Sequence, residues 1–410
     1  MIALVNPVSS GVQLAEALLE EGAAFVEVYA EEHAAAAPAA RPVKAVLHRD
    51  VEVTADELQA LGTTAVIAGS EFGVTLADEL SERLGLPHHR HALRSARRDK
   101  YRMALALADV GLPHARTVGV HSEAELDRVL ADWTAYPVVV KPLNSAGGDG
   151  CRICPGPAEA REAFTATVGR RNLMGEVNQG ALVQEFLAGS QYIVNTVSMA
   201  GRHLPAEVYA ERIDQLHGEP VLRHIVSRPT LDESEQDLVQ YVLRCLDALG
   251  VREGAAHTEV MRTADGPRLV EVNSRLMGPH LAADAYHAAY GYSSPHLVAE
   301  RFLRPGEFEN RFDPPYGPAA SLAKVYLRAH RSGVLEALDG LRLVRRLPGF
   351  HSVARMPQPG DTVRHGHLTT GTCGIAFFVH EDHELLEHSL GVLHDLEDSG
   401  GLFRITDTGV

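Results

Sequence analysis

The residues best suited to chemistry lie close together in the second half of the chain. Glu259 and Glu271 fall on two expected strands, 256–261 and 268–273, joined by a turn at 263–267. Period-two alternation puts Glu271 and Asn273 on one strand face, and Glu259 can face them from the partner strand. Two carboxylates and an amide oxygen are hard donors, suited to a Mg²⁺ ion that also holds substrate phosphates. The competing reading is a solvated hairpin face. Val260, Val270 and Val272 make the strands half-buried, however, and carboxylates paired in a low dielectric repel strongly without a cation. The metal reading is therefore favoured. Arg275, two residues past Asn273, extends the same face and could clamp an anion bidentately.

Earlier in the chain, Lys141 closes an apolar strand at 136–142, just before a loop at 144–150 that contains Gly147, Gly148 and Gly150. Glycines there let the backbone turn sharply and offer N–H groups to phosphate oxygens. A lysine beside them would neutralise phosphate charge. A plain hairpin turn and a snorkelling lysine fit the same residues. No Gly-Lys-Ser/Thr follows the loop and it opens no helix, which excludes the P-loop and the dinucleotide fingerprint. Cys151 and Cys154 have a redox-like spacing but sit in an expected strand, away from a helix N-terminus that would lower a thiol pKa. Cys245 and Cys373 are isolated, so a zinc site is not expected. His88, His89 and His91 read as a surface loop, and Tyr286, Tyr290 and Tyr292 as packing.

The elements that must position these residues can be read from the pattern. Strands at 2–5, 24–28 and 65–69 alternate with helical stretches, which predicts a parallel, Rossmann-like sheet. Residues 34–40 read as a surface loop. A basic helical stretch follows at 94–109, with Arg94, Arg97, Arg98 and Arg102 on a solvated face. Strands at 182–187 and 192–199 and an amphipathic helix at 384–396 complete the reading. At 410 residues, 45% hydrophobic and 22% charged, the chain is a multi-domain globular protein. A formal charge of −16 argues against nucleic-acid and anionic-membrane partners. No apolar run is long enough to span a bilayer. Residues 1–7 lack a basic n-region and a cleavage site, so no secretory signal is expected. Four cysteines are no disulfide framework, and a cytoplasmic location is the default.

The ordered set Lys100, Lys141-Pro142, the glycine loop, Gln184-Glu185-Phe186-Leu187, His257-Thr258-Glu259 and Glu271-Val272-Asn273-Ser274-Arg275 resembles the ATP-grasp superfamily. It looks most like the branch of L-amino acid ligases and dapdiamide synthetases, over essentially the whole chain. The resemblance implies an α/β fold with α+β lobes. A Rossmann-like preATP-grasp domain (1–92) would be followed by a helical linker (93–118), a small lobe (119–190), a large lobe (191–310) and a C-terminal mixed α/β domain (311–410). It implies that Lys100 and Lys141 contact the phosphates of ATP and that 145–150, with Ser145, closes over them. Gln184, Glu185, Phe186 and Leu187 would meet the adenine. Gln191 stands where the family often has a glutamate on the ribose. Glu259, Glu271 and Asn273 match Mg²⁺ ligands, for two ions, with Mn²⁺ an alternative. Arg275, His257 and Lys141 would be catalytic, and Arg275, Gly278 and His280 would face substrate.

The implied reaction joins a small carboxylic acid to an amine, most simply two amino acids, through an acylphosphate, releasing ADP and phosphate. The alternatives are a biotin-carboxylase-like ligase with another acceptor and a nucleotide-binding protein without turnover. The acid pocket is expected near 224–228 and 275–280, with Lys324 approaching it, and a homodimer is expected from the family.

Overall fold

In a computed structural model the chain is described over residues 1–31, 42–145, 147–216, 219–366 and 372–406. The loop expected at 34–40 and Ala146 of the glycine loop lie outside these residues. The first sheet is parallel, in the order β3 (Lys44–Leu47), β2 (Phe25–Tyr29), β1 (Ile2–Val5), β4 (Ala65–Ala68). All four residues of β1 are buried, which explains its continuous apolar run: a central parallel strand is covered on both faces. β3 was not expected; its mostly exposed, Lys-led sequence lacks that signal.

The second sheet holds the glycine loop. Its order is β5 (Thr117–Val120), β8 (Ala181–Glu185), β6 (Val138–Pro142), β7 (Arg152–Cys154), all antiparallel. β6 and β7 are the expected hairpin, and the loop is its connection. Val138, Val140, Ala181 and Val183 pack with Leu126, Leu130, Trp133 and Phe164 in a separate core.

The third sheet has eight antiparallel strands. β9 (Ser190–Met199), β10 (Arg202–Leu216), β11 (Glu219–Ser227), β12 (Gly254–Thr263) and β13 (Gly266–Asn273) are extended by β14 (Ser321–Tyr326), β16 (Phe350–Ala354) and β18 (Ile375–His380). One face packs on the first sheet and on helices Ala283–Tyr290 and Ser294–Leu303, in a core that joins Leu4, Leu14 and Phe25 to Tyr209, Met277 and Phe377. The other face carries helix Glu233–Ala248, with Leu238, Val242 and Leu246 against Val260 and Val272. Tyr286, Tyr290 and Tyr292 pack with this sheet as expected. A small sheet of β15 (Gly333–Ala337), β17 (Thr362–Val363) and β19 (Arg404–Thr406) and helix His383–Asp398 close the far end.

Candidate active site

β12 and β13 pair so that Glu259 stands opposite Glu271 and His257 opposite Asn273. The Asn273 side-chain amide donates to Glu271 Oε1 at 2.8 Å. His257 Nδ1 lies 2.9 Å from Asn195 Oδ1 on the adjacent β9, and its Nε2 lies 3.4 Å from Glu259 Oε1. Asn273 is buried and lines neither adjoining cavity, so it supports Glu271 from behind. Among the described residues no group of three His, Cys, Asp or Glu side chains is gathered as for a metal ion.

Lys100 ties this pair to the glycine loop. It is the first residue of helix Lys100–Asp109, whose N-cap Asp99 accepts from the Arg102 N–H at 2.8 Å. The Lys100 ammonium donates to the Ser145 carbonyl at 2.8 Å and meets Glu271 Oε2 at 2.8 Å. Burial works against the Lys100 charge, but Glu271 outweighs it and the lysine pKa is held above its ordinary value. Burial likewise opposes the Glu271 charge, yet Lys100 holds that carboxyl well below the usual carboxylate range. Lys141 is buried, and burial pulls its pKa down.

Gly147, Gly148 and Gly150 all have left-handed φ, at 64°, 80° and 68°. A Cβ on Gly150 would also sit 2.9 Å from the Pro142 ring, so this position needs glycine twice over. The Ser145 hydroxyl and the Leu173 N–H both donate to Asp149 Oδ2, at 2.8 and 3.0 Å.

Two cavities meet at the carboxylates. The smaller, about 260 Å³, is lined by Lys100, Lys141, Ser145, Gly147, Gly148 and Gln191. The larger, about 520 Å³, is lined by Ser9, Glu71, Phe72, His257, Arg275, Met277, Gly278, Pro279, Tyr326 and Arg355. Gly147, Glu211, Leu222, Glu259 and Glu271 belong to both. Glu211, on β10, was not expected. Burial and then the charge of Glu259 push its carboxyl well above the usual range.

Arg275 reaches the larger cavity from the bend after β13, not from the strand face, because β13 ends at Asn273. Its Nε donates to Glu71 Oε2 at 2.7 Å, and Arg98 also pairs with Glu71. Although burial opposes the Glu71 charge, the two guanidinium groups hold that carboxyl below its ordinary value. Glu71 went unnoticed because its partners are 27 and 204 residues away.

Several expectations change. Most of the basic cluster at 94–102 is not a solvated face: Arg97 is buried against Asp78 at 2.7 Å, Arg94 pairs with Glu79 and Glu82, and Arg98 with Glu71, while Arg102 is exposed as expected. His89 is not surface loop. Its Nδ1 accepts from the Arg252 N–H at 3.0 Å, and burial lowers its pKa to about 4. His224 faces away from the cavities and meets His394 Nε2 at 2.8 Å, while Arg228 pairs with Glu235. Leu222 is the residue of β11 that lines the larger cavity.

Gln184 is buried and donates its amide to Thr117 Oγ1 at 3.0 Å. Glu185 accepts from the Arg116 N–H at 3.0 Å, and Phe186 is exposed. With Leu187, they line neither cavity. Gln191 does, and donates to Glu259 Oε2 at 3.1 Å. His280, next to Pro279, lies behind the lining with its ring tilted on Phe377. Lys324 is wholly buried and donates to the Gly278 carbonyl at 2.9 Å.

Residues 97–279 match the ATP-grasp domain family. Dapdiamide A synthase of Enterobacter agglomerans is 31% identical over 366 residues, covering 87% of this chain and 85% of that protein. Carnosine synthase 1 of Homo sapiens is 29% identical over 171 residues, which are 40% of this chain and 20% of that one. The crystal structure of an L-amino acid ligase from Bacillus licheniformis superposes with a TM-score of 0.79 at 20% identity, covering 100% of this chain and 98% of that one.

Proposed function

The chain belongs to the ATP-grasp family, in its branch of L-amino acid ligase and dapdiamide-synthetase-like carboxylate–amine ligases, and on that premise we propose that it joins two amino acids, or an amino acid and another small acid, in an ATP-dependent amide bond. The observation that carries this reading is Glu259 facing Glu271 on the wall common to two cavities, with Lys100 bonded both to Glu271 and to the glycine loop. ATP phosphates would lie in the smaller cavity beneath that loop. The acid and amine would lie in the larger one.

The donor set fits a hard divalent cation. Glu211, Glu259 and Glu271 all line the wall common to the two cavities, offering carboxylate oxygens of the kind a hard cation takes. Glu259 and Glu271 would hold Mg²⁺ with Asn273 fixing Glu271, and the bound ion would offset phosphate charge there. Two ions, with Mn²⁺ able to replace Mg²⁺, belong to this reading.

The steps balance without a protein nucleophile. A carboxylate oxygen of the acid attacks the γ-phosphorus, the bond to the β-phosphate oxygen breaks, and ADP leaves. The neutral amine then attacks the acyl carbon, the tetrahedral oxyanion collapses, and phosphate departs with the proton lost by nitrogen. Lys100, Lys141 and the loop N–H groups position the triphosphate, which is most of what phosphoryl transfer requires. Arg275, held by Glu71, would steady the negative charge that forms on the acyl oxygen. The glycine loop would close to keep water from the acylphosphate.

The division at 1–92, 93–118, 119–190, 191–310 and 311–410 is part of the proposal; the parallel sheet and the four-stranded antiparallel sheet support its first boundaries, whereas the eight-stranded sheet runs across 310/311. A cytoplasmic setting, supported by a cysteine content too low for a disulfide framework, and a homodimer also belong to the proposal. No helix among the described residues is long and apolar enough to cross a membrane. The biotin-carboxylase-like and binding-only readings are set aside, because dapdiamide and carnosine synthases are both among the relatives. An ADP-release assay over pairs of amino acids tests the reading: turnover requires acid and amine together and is lost by at least about a hundredfold in Glu271→Gln. ADP formation with no pair would refute it.

A further inference from the structure

The larger cavity has a cationic side that the reaction above does not use. Arg355 follows the last residue of β16 and lines that cavity but not the smaller one. It has no hydrogen-bond or ion-pair partner among the described residues. Its backbone is left-handed, with φ 54°, a conformation sterically costly for any residue with a Cβ. Such an outlier at a ligand cavity points to a requirement on where the side chain goes.

The basic groups nearby are themselves pushed toward their neutral forms. His280 and Lys324 both have pKa values lowered by burial, and Arg355 contributes to each. Glu207 offsets part of the effect on Lys324 but is itself buried and bonded to Asn195 at 2.6 Å. Arg275, the other guanidinium of the cavity, is committed to Glu71. The carboxylates Glu211, Glu259 and Glu271 stand on the wall held in common with the smaller cavity. The larger cavity therefore combines an acidic wall shared with the smaller cavity, a guanidinium unpaired among the described residues and, in the same lining, the apolar surface of Met277, Tyr326 and Ile375.

We propose that Arg355 receives a carboxylate that takes no part in the new bond, the free carboxylate of the amine component. This rests on the ligase reading and narrows it: the acceptor is an amino acid with an unblocked carboxyl group, not a simple amine. A guanidinium fork matches a carboxylate with two parallel hydrogen bonds. Apolar surface beside it would take the side chain.

The test measures ADP release with one acid and, as amine, either a free amino acid or its primary amide. The parent enzyme prefers the free amino acid. Arg355→Gln raises KM for it by about tenfold to a hundredfold, leaves KM for ATP within about twofold, and erases the preference over the amide. Arg355→Lys restores part of it, and Arg355→Gly, which relieves the left-handed backbone, behaves like the glutamine variant. An unchanged preference in Arg355→Gln overturns the proposal. In a second arm the acid is a dicarboxylate or its monoamide. If the effect of Arg355→Gln follows that second carboxylate instead, the assignment to the amine is overturned. Absence of ADP with the parent on every pair would be a failure of the ligase reading, separate from either result.

Discussion

Arg275 acts through the company it keeps. Held at Nε by Glu71, its guanidinium has a fixed direction toward the cavity, and fixed donors stabilise developing charge better than mobile ones. Glu71→Gln keeps the shape and removes the charge. It should lower kcat by about tenfold or more, with KM for ATP nearly unchanged, in a steady-state assay; an equal loss in a Glu71→Gln variant whose KM for ATP also rises would point to unfolding of the site. Lys324 offers a test without substrate. Burial, only partly offset by Glu207, lowers its pKa to about 7, against about 10.4 in an unfolded chain. Between those values the unfolded state holds more protons, so this group adds stability as pH rises from 7 toward 10, and below pH 7 the full penalty stands. The melting-temperature difference between Lys324→Met and the parent should therefore move in the parent's favour from pH 7 to pH 9.5. A constant difference would contradict the burial effect.

At the scale of elements, the hairpin β6–β7 and its loop were legible because the signals are local: an apolar run, a proline, then glycines. The two glycine positions nevertheless differ. Gly148 has open space around its missing Cβ, whereas Gly150 would strike Pro142. Gly148→Ala should cost about 1 kcal/mol through φ alone, and Gly150→Ala distinctly more, with a larger fall in kcat/KM; equal effects would remove the argument from close approach. The pairing of Glu259 with Glu271 was legible for the same reason, since a short turn fixes register. Glu71, Glu211 and Arg355 were not, because no periodicity marks a single charged residue whose role depends on groups far away in the chain. The arginines at 94–98 illustrate the converse error. A charge run usually signals a wet face, but these side chains end on Glu71, Asp78, Glu79 and Glu82 from the preceding sheet's helices and turns. The residues assigned to adenine, 184–187, lie outside both cavities.

Across the whole molecule, the C-terminal helix is fastened to the eight-stranded sheet by buried charge. Glu397 Oε1 accepts from the Arg328 N–H at 2.6 Å, and its Oε2 meets both His394 Nδ1 at 2.8 Å and Arg223 at 3.3 Å. Glu397→Gln should destabilise the protein by about 3 kcal/mol, read as a fall in denaturant midpoint, with little effect on KM for ATP. An unchanged midpoint would show that the network is dispensable. This latch also holds in place the strands that bring Tyr326, Arg355 and Ile375 to the larger cavity. The carboxylates and the glycine loop come from earlier parts of the chain. On the proposed reading, exchanging only the final segment between relatives would reshape the Tyr326, Arg355 and Ile375 side of the larger cavity, while Ser9, Glu71, Arg275 and Met277 of its lining, carried by earlier segments, would stay as they are.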